Sequence, residues 1–251
     1  MTDRMPSRAM LLTIIGSLSL LAACELIGRF QLAGLSWPPL SQVVALLLDP
    51  AHSQLFIRAL GATAQSAAIG YCAGVFAGLC ITTIGHILPA TANGLSKLAA
   101  ALNSIPSIAL APIFMVLLSR GAAPAAVASI HVLFIMFVAS SSGLKAASLA
   151  HQDLFTVFGA GNSVRFRLLE VPSALPGIAT GLRLAAPVAI IGAIIGEWFG
   201  SPRGVGVLMV NAMQNFQITT LWGAIVLTAA MSLVVYAVLT AIERAVHARY
   251  S

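Results

Sequence analysis

Six apolar runs, each close to the length of a membrane-crossing helix, dominate this chain: Met10 to Gly28, Ala59 to Ile84, Ala99 to Leu118, Ala123 to Gly143, Ala174 to Phe199 and Thr220 to Ile242. A hydrocarbon core about 30 Å thick is crossed by about 20 apolar residues of helix. Inside it every backbone N–H and C=O must find a partner within the chain, so only helices or a closed barrel can span. No sustained apolar–polar alternation marks strands, which leaves helices. The chain holds 59 % apolar and 8 % charged residues, with mean hydropathy +0.97, where soluble domains carry about 25 % charged residues. The expectation is an all-α integral membrane protein of about six spans, one transmembrane domain over residues 1–251. Trp37 to Leu48 and Val205 to Phe216 are too short to span and read as amphipathic helices along a membrane face.

Orientation follows from the basic residues. With the amino terminus inside, the inner segments hold Arg4, Arg8, Lys97, Lys145, Arg165, Arg167, Arg244 and Arg249, and the outer ones Arg29, Arg58, Arg120 and Arg203. Eight against four fits the excess of Lys and Arg in cytoplasmic loops. Basic residues beside anionic headgroups account for the net charge of +6 without nucleic acid. Arg4 and Arg8, an apolar run and Leu21-Ala22-Ala23-Cys24 imitate a lipoprotein signal. Five further apolar runs favour an uncleaved anchor.

The one long polar interlude is KAASLAHQDLFTVFGAGNSVRFRLLEVPSALP, Lys145 to Pro176, which the charge bias places in the cytoplasm. Gly159 can end one helix in a left-handed cap, Asn162 or Ser163 can cap the next, and Pro172 is expected to stop it. The second helix carries Val164, Phe166, Leu168 and Leu169 with Arg165 and Arg167, an apolar plug with a basic rim.

Several chemistries are excluded. A phosphate-binding loop needs Lys followed by Ser or Thr, whereas Lys97 and Lys145 precede Leu98 and Ala146. The seven acidic residues are scattered, and neither a catalytic triad spacing nor a zinc or other metal pattern occurs. Cys24, Cys72 and Cys80 read as small apolar residues within spans.

Gly159 through Leu169-Glu170-Val171-Pro172 resembles the cytoplasmic loop signature of binding-protein-dependent ABC importer permeases: Glu-Ala-Ala, three residues, Gly, nine residues, Ile-x-Leu-Pro. Gly159 and Pro172 keep the register, while Asp153-Leu154-Phe155 retains only the acidic position of the triplet. Asn103-Ser104-Ile105-Pro106 with Ala109-Leu110-Ala111-Pro112, Ala174-Leu175-Pro176-Gly177 with Gly181-Leu182-Arg183, and Gly196-Glu197-Trp198 with Gly204-Val205-Gly206 resemble the nitrate, sulfonate and taurine branch. Glu197-Trp198 also resembles permeases for pyrimidine precursors.

The resemblance implies the type I importer permease fold in a bacterial inner membrane. It further implies a second permease subunit, expected to be a second copy of this chain in a homodimer, two cytoplasmic ATPases that bind ATP and magnesium, and an external binding protein. No cofactor is expected in this chain. Residues 145–176 become the coupling loop that docks in the ATPase, with Asp153, Gly159, Val164, Arg165, Phe166, Arg167, Leu169 and Pro172 as its working residues. Alternating access follows, driven by a ligand that binds one state better than the other. Pro106 and Pro112 each remove a backbone donor from the third span, which reads either as a gate or as a static kink. Asn103, Pro106, Pro112 and Arg183 are the candidates for the translocation pathway.

Glycine repeats at four, Gly70-Gly74-Gly78, Gly177-Gly181 and Gly192-Gly196, allow close helix approach. Glu25 can pair with Arg29, Glu197 reads as ordering the loop after it, His131 as a hydrogen-bonded core residue, and Arg183 as snorkelling inward or pairing with a carbonyl. An ion-coupled secondary transporter of small solutes is the competing reading, but its mid-membrane carboxylates are missing here.

Overall fold

The computed structural model describes residues 5–119 and 121–250, with side chains over 11–119 and 121–249. Arg4, Arg120 and the side chain of Arg8, all used in the charge count, lie outside the described residues. The helices among the described residues are α1 (Met5–Arg29), α2 (Leu40–Leu48), α3 (Pro50–Ile87), α4 (Pro89–Ser104), α5 (Ser107–Leu117), α6 (Ala123–Leu144), α7 (Leu149–Val157), α8 (Asn162–Arg165), α9 (Val171–Glu197), α10 (Val205–Gln214) and α11 (Ile218–Tyr250). A π-helical turn, Phe166–Glu170, joins α8 to α9.

Among the described residues, five helical runs are long and apolar enough to cross a bilayer, and six when α4 and α5, which meet at 94°, count as one broken span. That break is the third expected span. Pro106 stands at the corner because it has no N–H to donate and pushes the residue before it out of helical geometry; Ile105 is accordingly extended at φ −74°, ψ 125°. Pro112 lies within α5, which continues through it to Leu117.

The chain forms two compact units. One comprises residues through Arg58 together with Leu208–Leu227. Here Glu25 does pair with Arg29, at 3.1 Å, and also holds the start of α2 by accepting from Ser41 N at 2.9 Å and Ser41 Oγ at 2.7 Å. Trp37 Nε1 donates to Cys24 O, Trp222 Nε1 donates to Ser36 O, and the two indole rings pack 4.6 Å apart. Asp49 caps α3 by accepting from Ala51 N at 2.9 Å, and that N–H, with His52 beside it, holds its carboxyl below the usual range.

The other unit comprises Ala59–Val207 and Thr228 onward. Its core is α6 held between α3 and α9. A Cβ added at Gly74 would stand 2.5 Å from Ser129 O, and one at Gly192 would stand 2.7 Å from Ala128 Cα. Both glycine stripes therefore serve packing within the chain, letting backbones approach where lipid supplies no hydrophobic drive. Thr82 Oγ1 lies 2.7 Å from Ser140 Oγ and ties α3 to α6. His131 Nδ1 lies 3.0 Å from Val127 O, on its own helix, as expected of a core histidine.

Candidate functional site

The polar interlude folds as a helical hairpin. Ser148 caps α7 by accepting from His151 N. After α7 the chain turns at Gly159, whose φ of +67° is the left-handed geometry that favours glycine. Asn162 and Ser163 do not cap α8: its N-cap is Gly161, with no side-chain bond. Nor does Pro172 stop the helix. Val171 N bonds Phe166 O, five residues back, so the chain widens by one residue ahead of the proline and runs on through Glu197. The wide turn removes the conflict between the proline ring and the preceding turn.

The hairpin's most exposed apolar side chains are on the first helix and its turn. Leu149 and Phe158 are each 78 % exposed, Val157 is 84 % exposed, and Leu154 and Val164 are about half exposed. Asp153 and Arg167 are also exposed. The second helix turns Leu169 inward, where it is buried, while Pro172 is half-buried. The second helix still adds Leu168, 67 % exposed, so the apolar face runs from α7 through the Gly159 turn onto the helix singled out from the sequence.

Beneath this face sits a charged cluster. Glu170 is buried; its Oε1 accepts from Arg165 Nε at 2.9 Å, and its Oε2 lies 2.8 Å from His86 Nε2 at the end of α3, close but poorly aligned for a hydrogen bond. The His86 ring stacks on Phe166 with centroids 4.9 Å apart. Arg165 Nη2 reaches Gln152 Oε1 of α7 at 3.5 Å. A cavity of about 440 Å³ opens beside the cluster, lined by Thr82, His86, Ser96, Lys145 and Glu170 among others. The sequence gives no sign of His86 or Glu170 as partners, because they are 84 positions apart.

The pathway candidates fall in two places. Asn103, Pro106 and Pro112 are exposed along the α4–α5 corner. Arg183 lies between α9 and α11: its Nε is 3.0 Å from Glu243 Oε2 and its guanidinium sits 5.2 Å from the centre of the Tyr236 ring, while Thr180 Oγ1 donates to Glu243 Oε1 at 2.6 Å. It pairs with a carboxylate, not with a carbonyl.

Glu197 orders the loop after it, as its position suggested. Its side chain is buried at the end of α9, where Thr63 Oγ1 donates to it at 2.8 Å and Gly206 N at 2.8 Å, and Val205 N donates to Thr63 Oγ1 at 2.8 Å. The first amides of α10, which have no partner in their own helix, are satisfied in this way. Gly204, at φ +139°, leaves no room for a Cβ beside that carboxylate.

Residues 70–251 match the family described as binding-protein-dependent transport system inner membrane component. The formylaminopyrimidine transport permease protein ThiX of Halalkalibacterium halodurans is 34 % identical over 176 residues, 70 % of each chain. The putative aliphatic sulfonates transport permease protein SsuC of Bacillus subtilis is 23 % identical over 65 % of this chain and 59 % of its own length. Among solved structures, an inward-facing MetNI methionine ABC transporter superposes with a TM-score of 0.70 at 17 % identity, covering 79 % of this chain and 99 % of that one. At that identity the likeness shows the fold alone, that of a type I importer permease.

Proposed function

This chain belongs to the binding-protein-dependent inner membrane transport components and is a permease subunit of an ABC importer; from that premise we propose that its hairpin, residues 145–176, is the cytoplasmic element through which a separate ATPase drives it. The observation that carries the proposal is the exposed apolar face of α7 and its turn, Leu149, Leu154, Val157 and Phe158. Exposed apolar patches rimmed by polar residues mark protein partners, and Asp153 and Arg167 supply the rim. The amino terminus is then cytoplasmic, since six spans with the fourth ending at Leu144 put the hairpin on the starting side. The charge bias supports the same orientation.

In this reading two copies of the chain meet two ATPase subunits, which hold ATP and magnesium and carry out hydrolysis, and an external binding protein delivers the solute. Gly159 and Pro172 shape the hairpin, Val164 and Arg167 join the docking face, and Arg165, Phe166 and Leu169 brace it from beneath. Asn103, Pro106 and Pro112 line the pathway at the broken span, whereas Arg183 fixes α11 against α9. The solute is a small pyrimidine-type heterocycle: the relative named for formylaminopyrimidine matches at 34 % identity against 23 % for the relative named for sulfonates. Family membership sets aside the ion-coupled secondary transporter.

The test is reconstitution in proteoliposomes with the ATPase and binding protein. Uptake of a labelled formylaminopyrimidine should require ATP and the binding protein, and an alkanesulfonate should not be taken up. ATP-independent uptake, or no co-purifying ATPase, overturns the coupling assignment; sulfonate uptake alone overturns the solute.

A further inference from the structure

The docking face proposed above sits on a helix with little lateral support. Among the described residues, the side chains of α7 make one hydrogen bond beyond their own flanks, the 3.5 Å contact from Arg165 to Gln152. Arg165 is held in turn by Glu170, whose second carboxylate oxygen lies against His86 on the last turn of α3. One buried carboxylate therefore stands where the hairpin, the π-helical turn and α3 meet.

The π-helical turn makes this possible. Arg165 and Glu170 are five residues apart, which an ordinary α-helix would separate by about 140° around its axis. The wider turn brings them onto one face, and the same turn sets Phe166 against the His86 ring.

We infer that Glu170 is a positioning residue for energy coupling: it clamps α7, the π-helical turn and the end of α3 into one body, so that displacement of the docking face reaches α3 as well as running along α9. Through the chain alone a push on α7 would be lost in its connectors. A carboxylate shared by an arginine and a histidine, with most of its surface out of water, resists such slack because breaking either contact leaves a buried charge poorly paired. The inference rests on the docking reading and is tested apart from it.

The experiment uses the full transporter, with Cys24, Cys72 and Cys80 replaced by Ala and a single environment-sensitive fluorophore placed through Ala150→Cys on α7 or Ile87→Cys at the end of α3. Both native side chains are exposed. Magnesium, ATP and vanadate are the probe, so the solute need not be known. With Glu170 intact, both labels should change emission. In Glu170→Ala the α7 label should still respond, while the α3 response falls at least tenfold. His86→Ala, which leaves Arg165 and Glu170 paired, should reproduce that loss, and the double variant should be no worse than either single one. An α3 response retained in either variant overturns the inference. If Glu170→Ala silences both labels or loses the ATPase, the residue builds the hairpin and does not join it, unless His86→Ala still silences α3 alone. Silence at both positions with Glu170 intact defeats the docking reading itself.

Discussion

Thr63 and Glu197, 134 residues apart in sequence, share a 2.8 Å hydrogen bond in the protein interior, and between them they satisfy the first two amides of α10. Glu197→Ala would leave the Thr63 hydroxyl and the Gly206 N–H without their acceptor. At about 1–3 kcal/mol per unsatisfied buried group, two such groups should cost about 2–6 kcal/mol. Glu197→Gln keeps an acceptor and should lose less than half of that. Unfolding of the detergent-solubilised protein measures both, and equal stability of Glu197→Ala and the parent would refute the capping role.

The stripe on α3 gives a second expectation. Gly74→Ala puts a methyl group 2.5 Å from Ser129 O and against Val132, so the helices must part or shift, at about 1–3 kcal/mol by analogy with overpacked cores. Gly61→Ala on the same helix meets nothing within 4 Å and should be neutral or slightly stabilising. A thermal-shift comparison of the two variants separates close packing from a general dislike of side chains at glycine.

Phe158→Glu with Val157→Glu changes two exposed side chains that support no fold contact named above. The doubly substituted chain should reach the membrane at parental levels yet retain at most a tenth of the co-purified ATPase. Normal recovery of the ATPase would move the docking face away from α7.

Gly159→Val tests the same hairpin through its backbone. A Cβ meets nothing within 4 Å there, but φ is +67°, and the left-handed conformation costs about 1–2 kcal/mol for a residue with a side chain. ATP hydrolysis stimulated by the binding protein should fall several-fold, with a loss of thermal stability no larger than that strain; Gly159→Asn, which tolerates that geometry better, should recover most of both.

For Arg183 and Glu243 a double-mutant cycle is decisive. Both side chains are largely buried, at 23 % and 11 % exposure, and contacting pairs couple by about 0.5–3 kcal/mol. Arg183→Ala and Glu243→Ala should each destabilise, and the double variant should cost less than their sum. An additive result would free Arg183 for a role in the pathway.

Much of the architecture was legible because its signals are local. Hydropathy finds the spans since each one must meet hydrocarbon by itself, and the residue before Pro106 marks the corner in the third. Gly159 announces the hairpin turn through its backbone freedom. Pro172 misleads because a single extra residue in a π-helical turn lets a proline stay within a continuous helix. The amphipathic second helix misleads only in part: running on into α9, it turns Leu169 inward, while Leu168 and Val164 stay exposed beside the face of α7. His86 beside Glu170 and Thr63 beside Glu197 leave no trace in sequence spacing, because packing between distant helices brings them together.

The right-angled corner between α4 and α5 carries one more consequence. The closing carbonyls of α4 and the opening amides of α5 have no mates in their own helices, and acyl chains offer none. Wherever this elbow sits at membrane depth, it must be turned toward protein or water and away from the lipid tails, so the right angle itself dictates which side of the third span faces the rest of the assembly.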